Sequence, residues 1–274
     1  MKYVFLLSAT LAAVTSFLPA GLPAALGDEP KQHIDVGHLP EQSTLVDDVV
    51  VPVPSEIFGV LDKLGSPNWH DVLRTGAVQA PGARSETALQ LGDVIAEGFI
   101  AVEAQDSEQV KKIGRSVLEL SGALGVRKAV VARSSAIIEY ADKKDWPRAR
   151  EELDGALYDD KQAMDELHDE ELAQLVSLGG WLRGTEALTQ VVDRGYTKDS
   201  AGLLHQPALL DYFGRRLDRM SARLRNDEVV ARIQKRLPEI RPLIGEADSD
   251  ISKQSVEQIR EIVHDLVTDI APNP

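Results

Sequence analysis

The 274-residue chain contains no cysteine. That absence excludes disulfides, thiol nucleophiles, iron–sulfur clusters, cysteine-ligated zinc and covalently attached c-type haem. Aromatic residues are also scarce, at 5%, too few for a run of base-stacking or sugar-stacking platforms. Positive charge is in deficit: 30 Lys and Arg stand against 44 Asp and Glu, a formal net charge of -14. Such an excess is repelled by nucleic acid and by anionic lipid headgroups, so no nucleic-acid partner is expected. GxSxG, Walker A, GxGxxG, HExxH and Ser-Lys hydrolase patterns are all missing. Their absence lowers the expectation of an enzyme without removing it, because catalytic triads assemble from distant residues. A hydrophobic share of 43% is that of an ordinary folded domain.

The first 27 residues read as an export signal. Lys2 is the only charge before Asp28, and Val4–Val14 is an apolar run ending in small residues. Ala25-Leu26-Gly27 places small residues at both recognition positions, so cleavage is expected before Asp28, with an earlier site after Ala20 as the alternative. An uncleaved anchor is the competing reading, but Pro19 and Pro23 break the run. After cleavage the protein is expected to be periplasmic or secreted, with no stable membrane insertion. An exported chain without cysteine then has no covalent staple and depends on packing.

Residues 28–54 read as an extended or flexible lead-in, because Pro30, Pro40, Pro52 and Pro54 interrupt helix and Val49-Val50-Val51 favours an extended backbone. Residues 55–270 read as one α-helical domain. Ser55 caps a short segment to Gly65, and Ser66-Pro67 opens another. Longer helices are expected over about 85–105, 107–124, 126–143, 146–167, 170–194, 207–224, 227–243 and 253–269. Asp106, Asp145, Asp169, Asn226 and Ser252 supply candidate N-caps. Val110, Ile113, Val117, Leu120 and Leu124 recur at spacings of three and four, as do Phe213, Leu217, Met220 and Leu224. No comparable alternation of strands exists. The fold class is therefore all-α, a multi-helix bundle or an irregular array of helical hairpins.

One stretch has a more specific pattern. Asp145-Trp146, then Ala149 and Ala156-Leu157, follow the segment Ala136–Ala141. Over about 130–158 this resembles a single tetratricopeptide hairpin, with Lys144 where that family commonly has glycine. The resemblance implies two packed antiparallel helices with small residues at their contact. No second copy occurs at the family's period, and a lone hairpin cannot bury its own apolar face. An ordinary α-hairpin accounts for the same residues.

Four features bear on chemistry. Gly179-Gly180-Trp181-Leu182-Arg183-Gly184 interrupts an otherwise good helix, and three glycines there cost roughly 3 kcal/mol relative to alanine. Close backbone packing or a bend explains them; so does a ligand or peptide groove at Gly180 and Gly184, with Trp181 as apolar wall and Arg183 as anion contact. Arg183 can instead pair locally with Glu186. The second feature is the stripe Gln90, Asp93, Glu97 on an apolar helix, where Asp93 and Glu97 share a face. Such carboxylates do acid–base work, hold a metal, or form a structural pair, for which Arg133 is the candidate partner.

Third, Glu261-Ile262-Val263-His264 matches one Glu-x-x-His motif of di-iron bundles, but Asp165–His168 is only an aspartate version, so no metal or other cofactor is expected. His33 and His38 fall in the lead-in. Asp248-Ser249-Asp250 begins like a calcium loop without the residues that must follow. Fourth, charge is segregated: residues 151–171 hold ten acids against Lys161, and residues 214–241 hold nine bases against four acids. Solvated surface explains this, as does an acid–base contact within or between chains. The functional expectation is an exported, non-catalytic helical protein that binds a protein or peptide partner. The alternative is a helical bundle holding a small ligand or metal, with enzymatic activity included.

Overall fold

A computed structural model describes residues 44–46, 49–51, 67–74, 82–246 and 249–271. The expected signal peptide and the segment Ser55–Gly65 lie outside these. Within the lead-in, β1 (Thr44–Val46) and β2 (Val49–Val51) pair antiparallel with Thr44 opposite Val51, as the valine run suggests. The rest of the described chain is helical, which settles the fold class as all-α.

The helices follow the punctuation of the sequence. They are α1 (Arg84–Glu103), α2 (Ser107–Leu124), α3 (Arg127–Asp142), α4 (Trp146–Glu166), α5 (Glu170–Arg194), α6 (Lys198–Gly202), α7 (Pro207–Arg219), α8 (Ala222–Arg225), α9 (Glu228–Arg236) and α10 (Lys253–Ile270). Asp106, Asp145 and Ser252 accept backbone N–H bonds from Gln109, Arg148 and Ser255 respectively, as N-caps do. Asp169 makes no side-chain cap bond.

The first five helices are joined by one repeated turn. The Asp106 N–H donates to Ala101, Val126 to Ser121, Asp145 to Tyr140 and Asp169 to Met164, each reaching back five residues. This is the Schellman closure, which needs one residue at positive φ. Gly125 fills it between α2 and α3 (φ 90°), but Gln105, Lys144 and His168 fill the others at 56°, 57° and 58°. Lys144 therefore adopts the conformation for which glycine is the easy choice at that place. Across this turn α3 and α4 pack against each other as an α-hairpin.

Four boundaries differ from expectation. The stripe ending at Leu224 does not lie on one helix: α7 stops at Arg219, and Met220 is extended (ψ 153°). Just past the break Glu171 Oε1 accepts the Ser221 N–H at 2.6 Å, and Met220 and Leu224 are both buried. The α9 cap is Asp227, not Asn226; it accepts from Val229 and Val230. Beyond Arg236 the helix tightens to a 3₁₀ turn, Leu237–Ile240, at Pro238, which has no N–H to donate. Near Ser66-Pro67 the described residues hold only a 3₁₀ turn, Trp69–Asp71.

The core is built around α1, which packs against α2, α4, α5 and α10. Leu89, Leu91, Val94, Ile95, Phe99 and Ile100 are buried on all sides of it, as expected of a helix apolar around its whole circumference. Phe99, fully enclosed, contributes roughly 1.5–3 kcal/mol by leaving water. No helix among the described residues is long and apolar enough to cross a membrane.

Candidate functional site

The glycines of α5 meet a glycine of α1. A Cβ on Gly179 would lie 2.0 Å from the Leu89 carbonyl oxygen, and one on Gly92 would lie 1.8 Å from that of Val176. At Gly180 the nearest atom, the Gly92 oxygen, is 3.3 Å from such a Cβ. The two backbones are thus in direct contact, and α5 runs unbroken through Gly179, Gly180 and Gly184. Close packing explains Gly179 and Gly180. Gly184 is buried, yet no described atom lies within 4 Å of a Cβ built there.

Trp181, expected as the wall of a groove, is 8% exposed and sits in the core. Its indole N–H donates to Gln206 Oε1 at 3.0 Å, and its ring centroid lies 5.3 Å from that of Phe213.

Close contact of α1 and α5 places Arg183 against the α1 carboxylates. Arg183 is fully buried. Its Nε donates to Glu97 Oε2 at 2.7 Å, Nη1 to Glu186 Oε2 at 3.1 Å, and Nη2 to the Val72 carbonyl at 2.5 Å. Glu186 Oε1 also meets His264 Nδ1 of α10 at 2.7 Å. On the other side, the Arg74 backbone N–H donates to Glu97 Oε1 at 2.6 Å, and its Nη2 to Asp93 Oδ2 at 2.5 Å. Three carboxylates therefore share two guanidiniums, a net charge of -1 with His264 neutral. Asp93 Oδ1 and Gln90 Oε1, three residues apart on α1, are buried without a hydrogen-bond partner. Burial pushes the Asp93 carboxyl up to about 6; Arg74 and Arg183 pull it down and Glu97 adds to the rise.

Asp93, Glu97 and Arg183 are thus brought together, but Arg133 is not among them. It binds Glu152 at 3.0 Å and Asp159 at 2.9 Å on α4, half-exposed, with its guanidinium against Gly155. The expectation that its helix is apolar on most sides fails, because Val131 and Ala132 face solvent. His264, read as half of a metal motif, serves Glu186 instead. Among the described residues no group of three or more His, Asp or Glu is arranged to hold a metal ion.

Sequence reasoning missed Asp160. It is completely buried, accepts one hydrogen bond from the Ser121 hydroxyl at 3.2 Å, and leaves Oδ1 without a partner. The signal was available: Ala149, Leu153, Ala156, Asp160 and Met164 fall at helical spacings and are all buried. The surrounding acidic run masked it. With no cation at hand, burial drives its carboxyl up to about 7, opposed by the Ser121 bond and reinforced by Asp159.

A group held more protonated in the folded than in the unfolded state stabilises fully below its unfolded pKa and loses that contribution as pH rises through the folded value. The window for Asp160 is therefore about pH 4 to 7, with as much as about 4 kcal/mol at stake at 1.36 kcal/mol per unit. Asp160→Asn should unfold at higher urea than the unsubstituted protein at pH 8.5 and at nearly the same urea at pH 4. A less stable variant at pH 8.5 would contradict this account.

The segregated charges find partners mostly outside the opposite block. In the acidic block Asp169 takes Arg84, while in the basic block Arg232 takes Asp269 and Arg236 takes Asp265 of α10. Comparison of the chain with family models, with curated proteins and with solved structures finds no match in any of the three.

Proposed function

We propose that this is an exported, non-catalytic α-helical protein that works by binding a protein or peptide partner, and that the outer face of α3–α4 is the binding surface. One observation carries the reading. Val131 (45% exposed), Tyr158 (52%) and Leu167 (54%) are the exposed large hydrophobics among the described residues, and all three lie on this hairpin or its C-terminal turn. Exposed large apolar side chains offer contact area to a partner, and here all of them come from one hairpin. Exposed Glu151, Asp165 and Glu166 of α4 flank Tyr158, which favours a partner carrying apolar and basic side chains. The reading of Asp93, Glu97 and Arg183 as a small-ligand site has less support, because these side chains already bind one another. Export rests on the N-terminal sequence, cleaved before Asp28.

The test is affinity capture with the processed protein from the extracellular or envelope fraction of its native source, beside a Val131→Glu/Tyr158→Glu variant. Both sites are exposed, so the variant should melt within a few degrees of the unsubstituted protein. It should lose at least nine-tenths of the captured partner. Equal capture by both proteins rules out this face, and no specific partner at any salt concentration rules out the function.

A further inference from the structure

We propose that one end of the helical domain is a self-association surface, where exposed Asp165 and Glu166 of one copy meet exposed Arg223 and Arg225 of a second copy across a two-fold axis. This goes beyond the reading of the α3–α4 face and uses neither Val131 nor Tyr158.

Hydrogen bonds bring the segments that carry these residues together at the start of α1. Arg84 Nη2 donates to Asp169 Oδ2 at 2.7 Å, just past the end of α4. The next residue, Ser85, donates through Oγ to Asp227 Oδ2 at 2.6 Å, just past the end of α8. Glu171 accepts the Ser221 N–H immediately before α8 begins. The turn between α4 and α5 and the short helix α8 are therefore neighbours at one end of the fold.

The charges there are sorted and uncompensated. Asp165, Glu166, Arg223 and Arg225 are all exposed, and none of their side chains makes a hydrogen bond or ion pair among the described residues. The oppositely charged groups nearby are already committed. Arg84 is taken by Asp169 and the Leu124 carbonyl. Asp227 caps α9 and accepts from Ser85, and Glu228 pairs with Arg232. Leu167, 54% exposed, follows the two acids directly and adds an apolar component to the contact.

An acidic patch beside a basic one is self-complementary. A half-turn about an axis between them lays the acids of each copy against the arginines of the other, so every pair forms twice and the assembly closes as a dimer. One exposed ion pair contributes little, but here several act together, and arrangements that oppose like charges are penalised. The net charge of -14 repels a second copy from most directions, which leaves the sorted patch to select the orientation.

Sedimentation equilibrium of the full chain reads the assembly. A monomer–dimer equilibrium is expected, with no larger species. Arg223→Glu/Arg225→Glu and Asp165→Lys/Glu166→Lys should each weaken self-association at least about tenfold, because each makes the contact like-signed. All four positions are exposed, so both variants should melt within a few degrees of the unsubstituted protein. Mixed in equal amounts, they should dimerise again, since one is then wholly acidic and the other wholly basic at this surface. An unsubstituted chain that stays monomeric into the millimolar range overturns the proposal. So do variants that associate as tightly as it does, or a mixture that stays monomeric. Growth beyond the dimer overturns the two-fold arrangement. Should a reversed variant fail to fold, Arg223→Gln/Arg225→Gln takes its place, and undiminished association by that variant is equally fatal. Val131→Glu/Tyr158→Glu should dimerise normally, which separates this surface from the α3–α4 face; a dimer lost in that variant moves the contact there and overturns the assignment.

Discussion

Gly92→Ala and Gly179→Ala are each expected to cost more than 3 kcal/mol, enough to leave either variant largely unfolded at 37 °C. In both, the new methyl would meet backbone, with a Cβ 1.8 Å from the Val176 oxygen or 2.0 Å from the Leu89 oxygen. A flexible side chain would swing aside, but a carbonyl inside a helix cannot, so α1 and α5 would have to separate. They form the centre of the fold, and separation there would strip contacts from Leu89, Leu91 and Val176, all essentially unexposed. The loss combines overpacking with cavity formation, each costing roughly 1–5 kcal/mol. Domain stability is itself about 5–15 kcal/mol.

Gly184→Ala is the internal control. It sits on the same helix, with no described atom within 4 Å of the added methyl, and should gain up to about 1 kcal/mol from helix propensity. Urea denaturation of the three variants gives the comparison. If Gly92→Ala or Gly179→Ala loses no more than 1 kcal/mol, the close approach of α1 and α5 is wrong. This sharpens what the glycines mean. Their cost in α5 is offset by the approach they allow, and that approach brings Glu97 within reach of Arg183.

Helix positions were legible because their causes are local. Asp106, Asp145 and Ser252 bond to amides three residues on, and the Val110–Leu124 stripe needs only helical geometry. The break at Met220 was not legible: the apolar stripe runs on through it to Leu224, and the carboxylate that meets the Ser221 N–H beyond it comes from Glu171, 50 residues away. The polar network was half legible. Asp93 and Glu97 stood out as acids on an apolar helix, and the Arg183–Glu186 pair is a local i, i+3 contact. The choice of Arg133 as their cation failed for a physical reason: apolar letters around a residue do not say which of them face water, and Val131 and Ala132 do. The actual cations lie 19 and 86 residues from their acids, distances that only the packing of α1 on α5 closes. Asp160 was hidden in the opposite way, by acids that are its neighbours in sequence but lie on other faces of α4.

Arg183→Met should destabilise the protein by about 3–5 kcal/mol at pH 7, the range seen when one partner of a buried pair is removed. Methionine fills similar volume, so little of the loss comes from a cavity. The cost arises from what remains: Glu97 and Glu186, 6% and 2% exposed, and the Val72 carbonyl, which loses its guanidinium donor. Glu97 retains Arg74 and Glu186 retains His264, which keeps the penalty below that of an isolated buried charge. Lysine should not rescue, because one ammonium cannot match a planar guanidinium aimed at three acceptors, Glu97, Glu186 and the Val72 carbonyl.

The same reasoning predicts non-additivity. Arg183→Met combined with Glu97→Gln and Glu186→Gln removes the abandoned charges together with their counter-ion and should recover 1–3 kcal/mol of the single-variant loss. If Arg183→Met alone costs under 1 kcal/mol, or the triple variant is less stable than the single one, the network is not held by Arg183. The outcome bears on function as well as stability. If the protein tolerates loss of Arg183, these carboxylates are not needed to hold the helices together and are open to a ligand. A network that depends on Arg183 commits Glu97 and Glu186 to joining α1, α5, α10 and residues 67–74 instead.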